Sequence, residues 1–202
     1  MITINDAIRE VQRKMETTKQ TVAISDDAVT HMVMLLGERG YRPSEQIVEP
    51  IRAFLAGYSL LLTGDAGLGK TFLMRCLRVR SYAAENIVDY GLSRIHQWYD
   101  WTDERDICID DLGSERTVAE YGAKDDVLKA VIDHRIDHQT DRHDPTNLKP
   151  PRTGRTHVTT NLNAAQIASR YGDRTLSRLL GMCKPFTFTG KNMREPQPTT
   201  GG

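Results

Sequence analysis

The chain has 202 residues, enough for one domain with a small appendage. Lys plus Arg and Asp plus Glu are each 27, a net charge of about zero, which argues against a protein that coats nucleic acid and leaves room only for a local basic patch. The three cysteines fit no metal-ligand spacing, no apolar run reaches the length of a membrane span and the first residues lack a signal-peptide core, so the sequence reads as that of a reduced, cytoplasmic protein with no membrane partner.

Along the chain, Ile4, Ala7, Ile8, Val11 and Met15 form one apolar stripe and predict a helix over 4–17. Ser25-Asp26-Asp27 offers an N-cap for a second helix through Val29, Met32, Val33, Leu35 and Leu36, ended by Gly37 or Gly40. Pro43 marks a loop, and residues 44–55 make a third helix. Residues 1–43 therefore form a helical N-terminal region, either padding for the core or a partner-binding device, and residues 44–192 the main domain. The apolar run 58–63 has the character of a buried parallel strand, followed by a glycine loop and a helix over 72–79 with Leu73, Met74 and Leu77 inward. A second strand is expected at 86–90 and a short helix at 92–101. A third strand spans 106–111, and a helix with Val127, Leu128, Val131, Ile132 and Ile136 inward covers 124–138. After a charged, Pro-containing loop at 139–154 come a strand at 157–160, a helix capped by Asn163, a helix at 174–181 and a last strand at 185–189. The Pro-, Thr- and Gly-rich residues 193–202 suit a disordered tail. Strands alternating with helices predict an α/β fold with a parallel sheet flanked by helices.

The glycine loop is Gly64-Asp65-Ala66-Gly67-Leu68-Gly69-Lys70-Thr71, a full match to the phosphate-binding pattern G-x-x-x-x-G-K-[ST]. A strand before it and a helix after it would place backbone N–H groups around an anion. Lys70 then reaches the β- and γ-phosphates and the Thr71 hydroxyl ligates Mg²⁺. Hydrolysis needs in addition a carboxylate at the end of a buried strand. Asp110 stands there after three apolar residues, and a parallel neighbour would bring it beside Thr71 to orient the metal, while Asp111 could polarise the attacking water. Asn161 closes the next strand, where its amide could meet the nucleophilic water or the γ-phosphate. Arg174 and Arg178, four apart, share a helix face. They suit either a solvated basic face or an arginine offered to a neighbouring subunit's site to stabilise phosphoryl transfer.

The order of these blocks, with Ile-Asp-Asp-Leu-Gly-Ser-Glu at 109–115, Thr-Thr-Asn-Leu at 159–162 and Tyr-Gly-Asp-Arg-Thr-Leu-Ser-Arg-Leu at 171–179, resembles the AAA+ ATPases of the DnaC-type helicase-loader and IstB-like group. The resemblance covers about residues 45–190. It implies a P-loop NTPase fold of AAA+ type, with Lys70 and Thr71 as Walker A residues and Asp110 and Asp111 as Walker B. Asn161 becomes sensor 1, and Arg174, with Arg178 beside it, the arginine finger. It implies ATP with Mg²⁺, a homo-oligomer sharing its sites, and single-stranded DNA contact. The partner would be a replicative helicase loaded onto DNA; alternatives are a transposase activated by an IstB-like helper and an interaction module gated by nucleotide with little turnover. Many AAA+ proteins carry Glu where Asp111 stands, and the shorter arm bears on hydrolysis rate rather than nucleotide binding. Only about a dozen residues follow the last strand, too few for the helical lid of many relatives, a lack shared with the loaders.

Other residues carry two readings each. Trp98, Tyr99 and Trp101 near Arg94 and His96 suit either core packing or stacking on single-stranded bases. His134 and His138 have metal-like i,i+4 spacing, but Asp133, Arg135 and Asp137 surround them as on a solvated face. Lys149, Arg152 and Arg155 suit a basic loop tracking a phosphate backbone or a plain surface loop.

Overall fold

A computed structural model describes residues 24–115, 123–138 and 154–193, with backbone alone for 123–126. The helix expected at 4–17, Lys149, Arg152 and the tail beyond Met193 lie outside these residues.

Five parallel strands form the sheet: β1 (Ser59–Thr63), β2 (Arg80–Ala83), β3 (Ile107–Leu112), β4 (Thr156–Thr160) and β5 (Cys183–Thr187), in the spatial order β2-β3-β4-β1-β5. Alternation along the strands divides the core between the two faces of the sheet. Leu61, Ile107, Ile109 and Val158 belong to one cluster, with Val127, Leu128, Val131 and Ile132 of α6 (Ala123–His138). Leu60, Leu62 and Cys108 belong to the other. There they meet Val29 and Leu36 of α1 (Asp26–Glu38), Ile51 of α2 (Val48–Leu55) and Leu73 and Met74 of α3 (Lys70–Cys76). The central strands are thus covered on both sides, which is why they read as continuous apolar runs. Helix α1 shares this second core, with Ser25 accepting from Ala28 N at its start. Gly40 rather than Gly37 ends it: Gly40 N donates to Gly37 O and Tyr41 N to Leu36 O, the paired bonds of a Schellman cap.

The sequence reading fails at the second strand. Residues 86–90 are not a strand, because Ala84, Ile87 and Val88 turn one buried face inward as a short helix, α4 (Ala84–Val88). The strand is the preceding Arg80-Ser81-Tyr82-Ala83, which pairs with residues 107–110 at the sheet edge and shows little apolar character because it is only partly covered. The helix after the glycine loop stops at Cys76 rather than 79, and the last strand begins at Cys183. Helix α5 (Gly91–Thr102) buries Trp98 at 1 % exposure against Tyr82 and Tyr99, so its aromatic face is core, while Trp101 is 62 % exposed. His134 pairs with Asp103 at 2.9 Å and stacks on Tyr99, and no cluster of metal-ligating side chains occurs among the described residues. Arg155 is no free basic contact either: it pairs with Asp106 at 2.6 Å and lies over the Phe54 ring.

Arg135, fully buried on α6, fastens two connections to the sheet. It donates to Thr156 Oγ1 and to the carbonyls of Thr102, Arg105 and Gly154 at 2.7–3.0 Å. Burial pulls its pKa down to about 10, so it stays charged at neutral pH and satisfies main-chain oxygens that no helix or strand serves. Helices α7 (Ala164–Tyr171) and α8 (Asp173–Met182) complete the chain before β5. Among the described residues no helix is long and apolar enough to cross a membrane.

Candidate nucleotide site

The glycine loop leaves the carboxyl end of β1 and enters α3, so its residues gather at the edge of the sheet where α/β proteins bind ligands. Lys70 is only 4 % exposed, and its ammonium donates to Gly64 O at 2.6 Å, Asp65 O at 2.7 Å and Asn161 Oδ1 at 2.9 Å. Asn161, just after β4, and Lys70, at the start of α3, are thus in direct contact. A cleft is lined by residues 66–72 of the loop together with Asp111, Asn161 and Met193.

Asp110 takes up its expected place by an unexpected route. The neighbour of β3 is β4, not β1, so a whole strand separates the Asp110 strand from the one that feeds the loop. Thr71, in the first turn of α3, reaches over it and donates to Asp110 Oδ1 at 2.8 Å. The intervening strand supplies Thr159, whose hydroxyl donates to the same oxygen at 2.6 Å and accepts from Asp111 N at 2.9 Å. Asp111 has φ 54, the left-handed region, and the β3–β4 register shifts between Ile109 and Leu112. This irregularity lets two successive carboxylates serve one side of the sheet end: Asp110 the Thr71 hydroxyl, Asp111 the loop cleft.

After β5 the chain does not leave the site. Phe188 N donates to Thr63 O at 2.8 Å, Thr189 N to Gln46 Oε1 at 3.0 Å and Met193 N to Gly67 O at 3.0 Å, so residues 188–193 lie along the glycine loop as a strap. A Cβ on Gly64 would stand 2.2 Å from Phe188 O, and one on Gly67 1.8 Å from Asn192 Oδ1. Gly64 is therefore also required by packing against the backbone of the strap, whereas at Gly67 the obstacle is the end of the Asn192 side chain. On the opposite flank Tyr41 stacks on Phe72 at 5.8 Å and approaches Gly69; burial, with Cys76 adding to it, pushes the tyrosine up to about 12.

The two arginines part company. Arg174 is exposed and, among the described residues, unpaired. Arg178 turns back to its own chain and pairs with Asp133 at 2.8 Å and Asp137 at 3.4 Å of α6. Neither lines the cleft of its own subunit. The sequence reading gave no role to Thr159, to Glu115 or to the strap. No signal in the sequence singled out Thr159, because β4 reads Thr156-His157-Val158-Thr159-Thr160 and carries threonine on both of its faces.

No protein-family model matches the chain, and none of the curated proteins does. Solved structures do. The crystal structure of the DnaC helicase loader is 19 % identical and aligns with a TM-score of 0.51 over 74 % of this chain and 94 % of that one. The crystal structure of DnaI is 19 % identical, with a TM-score of 0.48 over 89 % and 93 %. The chain thus shares its fold, a parallel sheet flanked by helices with the glycine loop after β1, with the DnaC helicase loader structure.

Proposed function

We propose that this protein is a DnaC-like ATPase that binds ATP with Mg²⁺ and acts in DNA replication as a helicase loader. The observation that carries the reading is the convergence at one sheet edge of Lys70 with Asn161 and of Thr71 with Asp110. The donor set fits the cofactor. Thr71 and Asp110 offer oxygen ligands of the kind Mg²⁺ takes, and the enclosed Lys70 ammonium suits the β- and γ-phosphates. Bound ATP–Mg²⁺ supplies the phosphoryl group to be transferred to water. Asp110 holds the metal side in place, Asp111 accepts the proton of the attacking water, and Asn161 orients that water or the γ-phosphate. Arg174 is offered to the site of a second copy in a homo-oligomer, and the Arg178 pairing to α6 marks it as a brace for that helix. Residues 1–43 bind the replicative helicase, and the exposed Trp101 supports single-stranded DNA contact in a cytoplasmic setting.

ATP–Mg²⁺ at about 100 times its Kd should add ~2.7 kcal/mol of stability, a rise in Tm of roughly 5–11 °C for a domain of this size. If the wild type shifts no more than Lys70→Ala, the site assignment is wrong. Capture of a hexameric helicase from the host supports the loader role. Capture of a transposase instead replaces it with the IstB-like reading, and absence of turnover with and without single-stranded DNA leaves a nucleotide-gated module.

A further inference from the structure

Glu115 lies four residues after Asp111, and its carboxylate is completely shielded from solvent. A buried charge of this kind persists only where every lone pair is engaged. Here Oε2 accepts from Gly113 N at 3.0 Å, and Oε1 accepts from the Tyr171 hydroxyl and pairs with Arg170 Nη2 at 2.9 Å. Arg170 adds a second clasp, donating to Gly113 O at 2.8 Å and Glu115 O at 2.5 Å. The other end of the loop is tied to β4, since Thr160 Oγ1 donates to Leu112 O at 2.6 Å and Thr159 Oγ1 holds Asp111 N.

Arg170 and Tyr171 are the last residues of α7, and Gly172 alone separates them from α8. Gly172 N donates to Ala168 O and Gly172 O accepts from Leu176 N, so this residue closes one helix and opens the next. Its φ of 91° admits glycine and penalises any residue with a side chain. The two helices are also tied across this residue, since the buried Thr175 Oγ1 donates to Tyr171 O at 3.0 Å, and Arg174 stands two residues beyond it.

We propose that Glu115 is a positioning residue with two outputs: it fixes the loop that carries Asp111, and through Arg170, Tyr171 and Gly172 it fixes the direction from which Arg174 reaches a second copy of the chain. The geometry of one site is thereby linked to the arginine that the same subunit lends to the next site. This rests on the shared-site reading given above.

The test uses the full chain with ATP–Mg²⁺ and mixtures of variants. Arg174→Ala retains its own loop but lends no arginine, and Lys70→Ala lends an arginine but has lost its own site. Mixed, they recover turnover. With Lys70→Ala/Glu115→Gln as the lender, recovery falls by about tenfold or more while co-sedimentation of the two variants is unchanged. Glu115→Gln alone lowers kcat by about tenfold with KM for ATP within about threefold, the signature of lost alignment rather than lost binding. Tyr171→Phe removes one hydroxyl from the cluster, gives the same pattern at smaller size and serves if Glu115→Gln does not fold. Undiminished recovery with the double variant overturns the link to Arg174 while leaving the shared site standing. Lost co-sedimentation overturns it too, because Glu115 would then hold the interface. No recovery even with Lys70→Ala as lender overturns the shared site and the link together, and an unchanged kcat of Glu115→Gln overturns the Asp111 output.

Discussion

Thr71 and Asp110 meet at 2.8 Å although β4 separates the strand leading to one from the strand carrying the other. The contact depends on what fills the gap, and Thr159 fills it: one hydroxyl bonds Asp110 and receives Asp111 N. Thr159→Val keeps the shape and deletes both bonds, taking the hydroxyl acceptor away from the Asp111 amide. That costs on the order of 1–3 kcal/mol, a fall in Tm of roughly 2–12 °C. ATP turnover should fall further than stability implies, because Asp110 keeps only its Thr71 contact and the Asp111 backbone loses its tie to β4. Thr159→Ser restores the hydroxyl and should restore turnover; equal activity in the valine and serine variants would refute this role.

The strap gives Gly67 a second constraint. In Gly67→Ala the new methyl would collide with Asn192 Oδ1, and the backbone would hold a left-handed φ of 81°. The conformational part alone costs about 1–2 kcal/mol. A double-mutant cycle with Asn192→Ala separates the parts: the double variant should regain the collision part and retain the backbone penalty. A coupling of roughly 0.5–3 kcal/mol is expected, read from melting of all four proteins. Strict additivity would show that the strap does not press on the loop in solution.

Much of this site is legible in the sequence because its chemistry is local. A glycine loop between an apolar run and a helix places Lys70 and Thr71 together, and Asp110 and Asn161 each end a strand, so parallel pairing alone brings them to one edge. Strand order is another matter. Nothing in the residues of β3 says that β4 lies beside it, and the bridging role of Thr159 follows only from that order. The second strand was missed because an edge strand is half-covered and lacks the apolar signature, whereas Asn86-Ile87-Val88 shows a β-branched pair that belongs to a helix. Glu115 was invisible as a buried anchor since its partners lie 55 and 56 residues away.

Arg135 is the structural group on which the sheet's connections most depend. Its removal in Arg135→Met takes the guanidinium donor from the carbonyls of Arg105 and Gly154 in the interior and leaves Thr102 O with the Arg105 amide. The expected loss is about 3–5 kcal/mol, a large share of the stability of a domain. Arg135→Lys should recover little, since one ammonium cannot span acceptors that a planar fork reaches together. Denaturant melts decide it, and a lysine variant as stable as the wild type would show that charge alone suffices.

His157 sets the acid limit of the fold. Its ring lies within the β1–β4 pairing, where Nδ1 accepts from Leu60 N at 3.1 Å, so the ring proton sits on Nε2 and the imidazole is neutral. Burial, reinforced by the charge of Arg155, pulls its pKa from 6.5 down to about 3. The sign follows from linkage. Above pH 6.5 the histidine is neutral in both states and imposes no penalty. As pH falls below 6.5 the unfolded chain takes up a proton that the folded chain refuses, and stability drops by about 1.4 kcal/mol per pH unit until about pH 3. Asp106 acts in a lower window. Burial alone would raise its pKa, but hydrogen bonds and charge from Arg155 outweigh this and leave it below 3.8, so its contribution is lost only near and below that pH. His157→Gln keeps an acceptor for the Leu60 amide and cannot titrate. Between pH 6 and 4 its stability should fall less steeply than that of the wild type, by the slope of one proton. Parallel slopes for the two proteins would place the buried imidazole outside the acid transition.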